Sequence, residues 1–155
     1  MSVIKVGAEA PVFVLSDQHG EKINLKELRG KSVILSFHPL AFTPVCAKQM
    51  KALEENQDQF EKLNAVALGI SVDAVPAKHA WAKELRIKET QLLSDFWPHG
   101  AVAESYGIFR SADGYSERAV IILDAEGIVR FSKVYPMSEV PDMGEILEQL
   151  KRLGG

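Results

Sequence analysis

Two short apolar runs, Ser32–Phe37 (SVILSF) and Ala65–Ser71 (AVALGIS), stand on either side of a helix-period stretch, Pro44–Asn64. Each run is compact and rich in aliphatic or β-branched residues, which predicts a buried strand. Between them Met50, Leu53, Phe60 and Leu63 recur at three- and seven-residue intervals among Lys, Glu and Gln. That periodicity predicts one amphipathic helix, and Pro44 suits its first turn, where a missing N–H leaves no bond unmade. A buried strand, a helix and a second buried strand make a parallel crossover unit.

The flanking segments complete the order. Phe13–Leu15 and Lys22–Leu25 read as short strands around the turn Asp17-Gln18-His19-Gly20. Pro76–Arg86 predicts a helix with Ala77, Trp81 and Leu85 inward, Gln91–Leu93 a short strand, and Pro98–Tyr106 a short helix stopped by Gly107. Ala119–Asp124 and Ile128–Tyr135 flank Ala-Glu-Gly and read as an antiparallel hairpin, and Pro141–Leu153 as a last helix with Met143, Ile146, Leu147, Leu150 and Leu153 inward. Parallel crossover plus antiparallel hairpin gives an α/β fold: a mixed central sheet with helices on both faces and an N-terminal strand extension. This is the thioredoxin-like order of elements. No linker or repeat divides residues 1–155, so a single domain is expected.

Charge and composition exclude several classes. Eighteen Lys and Arg against twenty-one Asp and Glu leave a net charge of -3, without the basic footprint that nucleic-acid backbones need. The longest apolar runs, such as Ala119–Leu123, fall far short of a membrane span. Met1–Phe13 carries Lys5, Gly7, Glu9 and Pro11 and has no signal-peptide core, so a cytoplasmic protein is expected. His19, His38, His79 and His99 show no metal-ligand spacing and read as surface or structural residues. Trp81 and Trp97 read as packing residues. No metal or organic cofactor is expected.

One cysteine is present, Cys46. It cannot close an internal disulfide or supply a four-thiolate metal site. It falls in the first turn of the crossover helix, where unpaired N–H groups and the positive end of the dipole favour an anion. A free thiol is only a few per cent ionised at neutral pH. Making it mostly thiolate takes roughly 3 kcal/mol, and a helix end supplies about 1–2. A cation is therefore expected beside the sulfur. Three residues upstream, Thr43 offers a hydroxyl in a loop stiffened by Pro39 and Pro44. That hydroxyl suits a partner for the thiolate or a substrate oxygen, and equally a plain helix N-cap.

Pro39, Thr43 and Cys46 stand in the pattern P-x-x-x-T-x-x-C, and the chain is thereby similar to the peroxiredoxins. The preceding SVILSFHPL resembles the strand that delivers this motif, and Ser116–Asp124 (SERAVIILD) resembles the later strand that opens with an active-site arginine, here Arg118. Leu92–Phe109 (LLSDFWPHGAVAESYGIF) is especially like the one-cysteine, alkyl hydroperoxide reductase E type. The resemblance implies reduction of hydrogen peroxide and organic hydroperoxides by Cys46, with Thr43 and Arg118 polarising the peroxide and Pro39 shielding the thiolate. It further implies a sulfenic acid on Cys46. With no second cysteine, a small thiol or redox protein must reduce it. A homodimer or higher homo-oligomer is also implied, and Asp95–His99 could line the pocket or a dimer contact.

Three positions depart from the pattern. His38 replaces the usual Phe or Tyr, Ala47 a Pro or Thr, and Gln49 a Glu that helps orient the arginine. The first two are expected to alter pocket shape, the third the hold on Arg118, since a neutral amide bonds a guanidinium less strongly than a carboxylate does. By position alone, Arg118 also fits a surface arginine at a strand end. The rival readings for Cys46 are a peroxide-responsive sensor or holdase and a cysteine hydrolase with a histidine base. No papain-like or caspase-like signature surrounds the thiol.

Overall fold

The computed structural model describes residues 2–154. In it β3 (Ser32–Phe37) and β4 (Ala65–Ser71) pair in parallel over their length, Ser32 opposite Ala65 and Phe37 opposite Ile70. They are the centre of a mixed sheet. β1 (Val14–Ser16) and β2 (Lys22–Asn24) form the N-terminal extension, and β5 (Gln91–Ser94) lies parallel to β4. β8 (Arg118–Leu123) runs antiparallel to β3, and β9 (Val129–Tyr135) antiparallel to β8. The seven-stranded order is β2-β1-β5-β4-β3-β8-β9. No helix among the described residues is long and apolar enough to cross a membrane.

Alternation along the strands sorts the interior into two cores. Val33, Leu35, Phe37, Leu68, Ile70, Ala119 and Ile121 face one side, against the N-terminal segment, a 3-10 turn at Leu25–Leu28 and α4 (Ala101–Ser105). Ile34, Ala67, Leu92, Val120 and Ile122 face the other. There they meet α1 (Pro44–Glu55), α2 (Gln57–Lys62), α3 (Val75–Leu85) and α5 (Met143–Arg152). Helices do cover both faces, but of the five α-helices among the described residues four lie on one. Gly69 on β4 lets α1 settle against the sheet: a Cβ there would collide with the side chain of Met50.

The structure departs from the sequence reading in several places. The helix expected over Pro44–Asn64 breaks at Asn56, whose side chain donates to the Ala52 carbonyl at 2.7 Å while its N–H turns back to Leu53 at 3.2 Å. Asparagine competes with the helical ladder in this way. The short helix begins at Ala101, because Gly100 adopts φ 72° with the Phe109 ring against it. An unforeseen hairpin, β6 (Phe109–Arg110) and β7 (Tyr115–Ser116), carries the chain to β8. Trp81 is buried as expected, whereas Trp97 is 81% exposed and packs no core. In α3 the buried stripe is Lys78, Trp81 and Ala82, turned from the Ala77–Trp81–Leu85 face.

Candidate active site

Strand β3 ends at Phe37, and the buried residues His38 and Pro39 lead to the loop that opens α1. The amide of Ala41 donates to the Asp73 carboxylate at 2.8 Å, which ties this loop to the segment after β4. The same oxygen accepts the Ser71 hydroxyl at 2.6 Å. Phe42 sits at φ 65°, a left-handed conformation uncommon for a bulky residue, and its ring leans on Trp81. Thr43 then occupies the N-cap position and Pro44 the first helical one.

Cys46 lies in that first turn, 1% exposed. The guanidinium of Arg118 is its cation. Nη1 donates to Sγ at 3.3 Å and to Oε1 of Gln49 at 2.7 Å. Nε and Nη2 both donate to the Met137 carbonyl, at 3.2 and 2.8 Å. Arg118 is 3% exposed, so it is no surface arginine. It opens β8, which pairs with β3, and that pairing carries the guanidinium under the start of α1.

Gln49 settles the expectation about the hold on Arg118. Its Nε2 donates to the Ser36 hydroxyl at 2.8 Å and to the Phe37 carbonyl at 3.0 Å, leaving Oε1 fixed toward the guanidinium. A glutamate could not make those two donations. The amide gives up charge assistance and gains an anchor on β3.

The structure gives Thr43 neither the thiolate partner nor the helix cap expected of its hydroxyl. Its hydroxyl donates to the Leu40 carbonyl at 2.8 Å, so it neither caps α1 nor bonds Cys46. The oxygen keeps its acceptor capacity. The side chain of Thr43 stays half-buried at the mouth of the loop.

Sequence reasoning missed a charged group below the site. Lys78 of α3 is fully buried, with Nζ 2.9 Å from Nε2 of His38, itself fully buried. Burial pulls the ammonium down to about 7, against the pull of Asp73 and then Cys46. His38 is held well below the ordinary histidine value, first by burial and then by Lys78. The available signal was His38 itself, a polar ring in a run of apolar strand residues. The other three histidines are exposed. Of Asp95–His99, Asp95 is buried and accepts the Val102 and Ala103 amides at 3.1 and 2.9 Å, while Phe96 and Trp97 are exposed.

Residues 6–132 match the AhpC/TSA family. Alkyl hydroperoxide reductase E of Mycobacterium tuberculosis is 40% identical over 90% of this chain and 92% of its own length. A putative peroxiredoxin of Coxiella burnetii is 35% identical over 97% of this chain and 99% of its own. Among solved structures, the reduced 2-Cys peroxiredoxin of Plasmodium vivax superposes with a TM-score of 0.87 at 31% identity, over 96% of this chain and 81% of that one. Peroxidoxin BcpB of Mycobacterium tuberculosis superposes with a TM-score of 0.85 at 28% identity, over 96% and 97%.

Proposed function

This chain belongs to the AhpC/TSA family of peroxiredoxins, thiol-dependent peroxidases of thioredoxin-like fold, and on that premise we propose that Cys46 is its peroxidatic nucleophile. The observation that carries the reading is the Arg118 donation to Sγ at 3.3 Å from a guanidinium fixed on its other side.

Cys46 attacks one oxygen of a hydroperoxide, the S–O bond forms as the O–O bond breaks, and the sulfur becomes a sulfenic acid. Negative charge moves from sulfur to the departing oxygen. Arg118 stabilises that movement best because it is already immobile, so no reorganisation is needed as charge develops. The hydroxyl of Thr43 is engaged with Leu40 as a donor and meets the peroxide as an acceptor, orienting the O–H of the substrate. Pro39, buried between β3 and the loop, keeps water from the sulfur.

An external thiol then reduces the sulfenic acid, since Cys46 is the sole cysteine. Hydrogen peroxide and organic hydroperoxides are the substrates. The protein associates with itself: Phe42, after β3, and Phe96 and Trp97, after β5, are exposed at the carboxyl ends of parallel strands. Peroxide consumption with a panel of thiol reductants tests the reading. Many equivalents consumed by the parent and none by Cys46→Ser support it. Consumption that stops near one equivalent with every reductant indicates a sensor instead.

A further inference from the structure

The peroxidase scheme makes no use of Asp73, yet its carboxylate joins two parts of the fold. Oδ2 accepts the Ser71 hydroxyl at 2.6 Å and the Ala41 amide at 2.8 Å, and the Asp73 carbonyl accepts the Ser94 hydroxyl at 2.6 Å. Ser71 ends β4, Ser94 ends β5, and the two stand opposite each other in register. The carboxylate is therefore fixed to the rims of two central strands, and from there it reaches into the Pro39–Thr43 loop. The N–H it takes belongs to the peptide bond between Leu40 and Ala41. The carbonyl of that same peptide bond, on Leu40, accepts the Thr43 hydroxyl at 2.8 Å. A planar trans peptide points its N–H and C=O in opposite directions, so holding one end aims the other. A bond to an ionised acceptor is the stronger kind, and a bonded N–H makes its own carbonyl a better acceptor. The loop needs such a hold, because Phe42 within it adopts φ 65°, which a bulky residue keeps only when its surroundings impose it.

We propose that Asp73 is a positioning residue for Thr43: through the Leu40–Ala41 peptide it keeps the Thr43 hydroxyl donating to Leu40, and so presents the oxygen lone pairs to the O–H of the hydroperoxide. This rests on the reading of Cys46 as the nucleophile and of Thr43 as an acceptor. Ala41 is buried, where an amide stripped of its acceptor is costly, and without the carboxylate the peptide turns to find another. The Leu40 carbonyl then leaves Thr43, and the hydroxyl proton has no fixed direction. A hydroxyl that offers its proton meets the peroxide O–H donor to donor and misorients it. Arg118 is held by Gln49 and Met137, so its donation to Cys46 does not pass through Asp73.

Rates of peroxide reduction by Asp73→Ala, Thr43→Val and the double variant test this as a cycle. Asp73→Ala alone slows the reaction by roughly 10- to 100-fold. In the Thr43→Val background, where no hydroxyl remains to be aimed, the same change costs less than about 3-fold. Asp73→Asn keeps a neutral acceptor in the same place and slows the reaction less. It replaces the alanine variant in the cycle if that variant fails to fold. Methyl methanethiosulfonate, which carries no O–H or N–H, modifies Cys46 at least as fast in the Asp73 variants as in the parent. An Asp73→Ala protein as fast as the parent, or a loss that recurs in full beside Thr43→Val, overturns the proposal. So does a methanethiosulfonate rate that falls as far as the peroxide rate. All three leave the assignment of Cys46 standing. A parent whose Cys46 gains no mass under peroxide overturns that assignment, and the role of Asp73 with it.

Discussion

The oxygen of the Gln49 amide and the sulfur of Cys46 share one nitrogen of Arg118, at 2.7 and 3.3 Å. The nearer partner fixes where that nitrogen points, and the sulfur receives what geometry remains. Gln49 is itself held by β3 through two donations, so its position is inherited from the strand.

Gln49→Met therefore removes the anchor without changing volume much. Arg118 loses an acceptor, and the Phe37 carbonyl loses its side-chain donor. Stability falls by about 1–3 kcal/mol, the range for a buried polar group left unpaired. Peroxide reduction falls too. Chemical denaturation and initial rates measured on the same preparation check both effects, and an unaffected rate shows that Met137 alone suffices to hold Arg118.

Arg118→Met should slow attack on peroxide by about 100-fold or more, the usual consequence of deleting one donor to a developing oxyanion. Alkylation of Cys46 by a small reagent, which develops no such oxyanion, should slow less. Stopped-flow rates for the two reactions separate the roles. If both fall equally, Arg118 serves only the thiolate and does nothing for the leaving oxygen.

Oxidation with limiting peroxide and no reductant should leave a sulfenic acid on Cys46 that a dimedone-type probe traps. Excess peroxide should carry it on to the sulfinic state, since no internal thiol competes for the sulfur. Intact-mass spectrometry reads both products. A dominant disulfide between two copies of Cys46 would contradict this.

Lys78 and His38 also give stability a definite dependence on pH. Lys78 titrates at about 7 in the folded chain and at roughly 10.4 when unfolded, so the unfolded state binds more protons between those values. Stability therefore rises with pH across that window, and the penalty is fully present below it. His38, held below the ordinary histidine value, adds a loss of stability as pH falls beneath about 6.5. Lys78→Met should flatten the upper rise, and His38→Phe the acid loss, in denaturant midpoints measured from pH 5 to pH 10. A parent whose midpoints fall between pH 7 and pH 10 would show that the ammonium is not destabilised by burial.

The parts legible in the sequence were those written in local periodicity. SVILSF, AVALGIS and the hairpin around Ala-Glu-Gly became β3, β4 and the β8–β9 pair within a residue or two. Cys46 could be put in the first helical turn because Pro44 marks that turn, and the expected cation proved to be Arg118. What escaped depends on contacts distant in sequence. The rotation of α3 buries Lys78 against His38, forty residues away, and no window of α3 contains that partner. The break at Asn56 is the exception: a short polar side chain in mid-helix is a local signal, overridden here by the regular spacing on both sides.

Two of the four donations from Arg118 end on the Met137 carbonyl, in the loop between β9 and α5. Every residue type offers the same carbonyl, so this half of the clamp leaves no mark in the amino-acid alphabet. Side-chain scanning across residues 136–141 would pass over it in silence, while deleting a single residue there would swing the carbonyl away from the guanidinium. The placement of the guanidinium against Cys46 therefore depends on the length of a surface loop, which insertions and deletions change and side-chain substitutions do not.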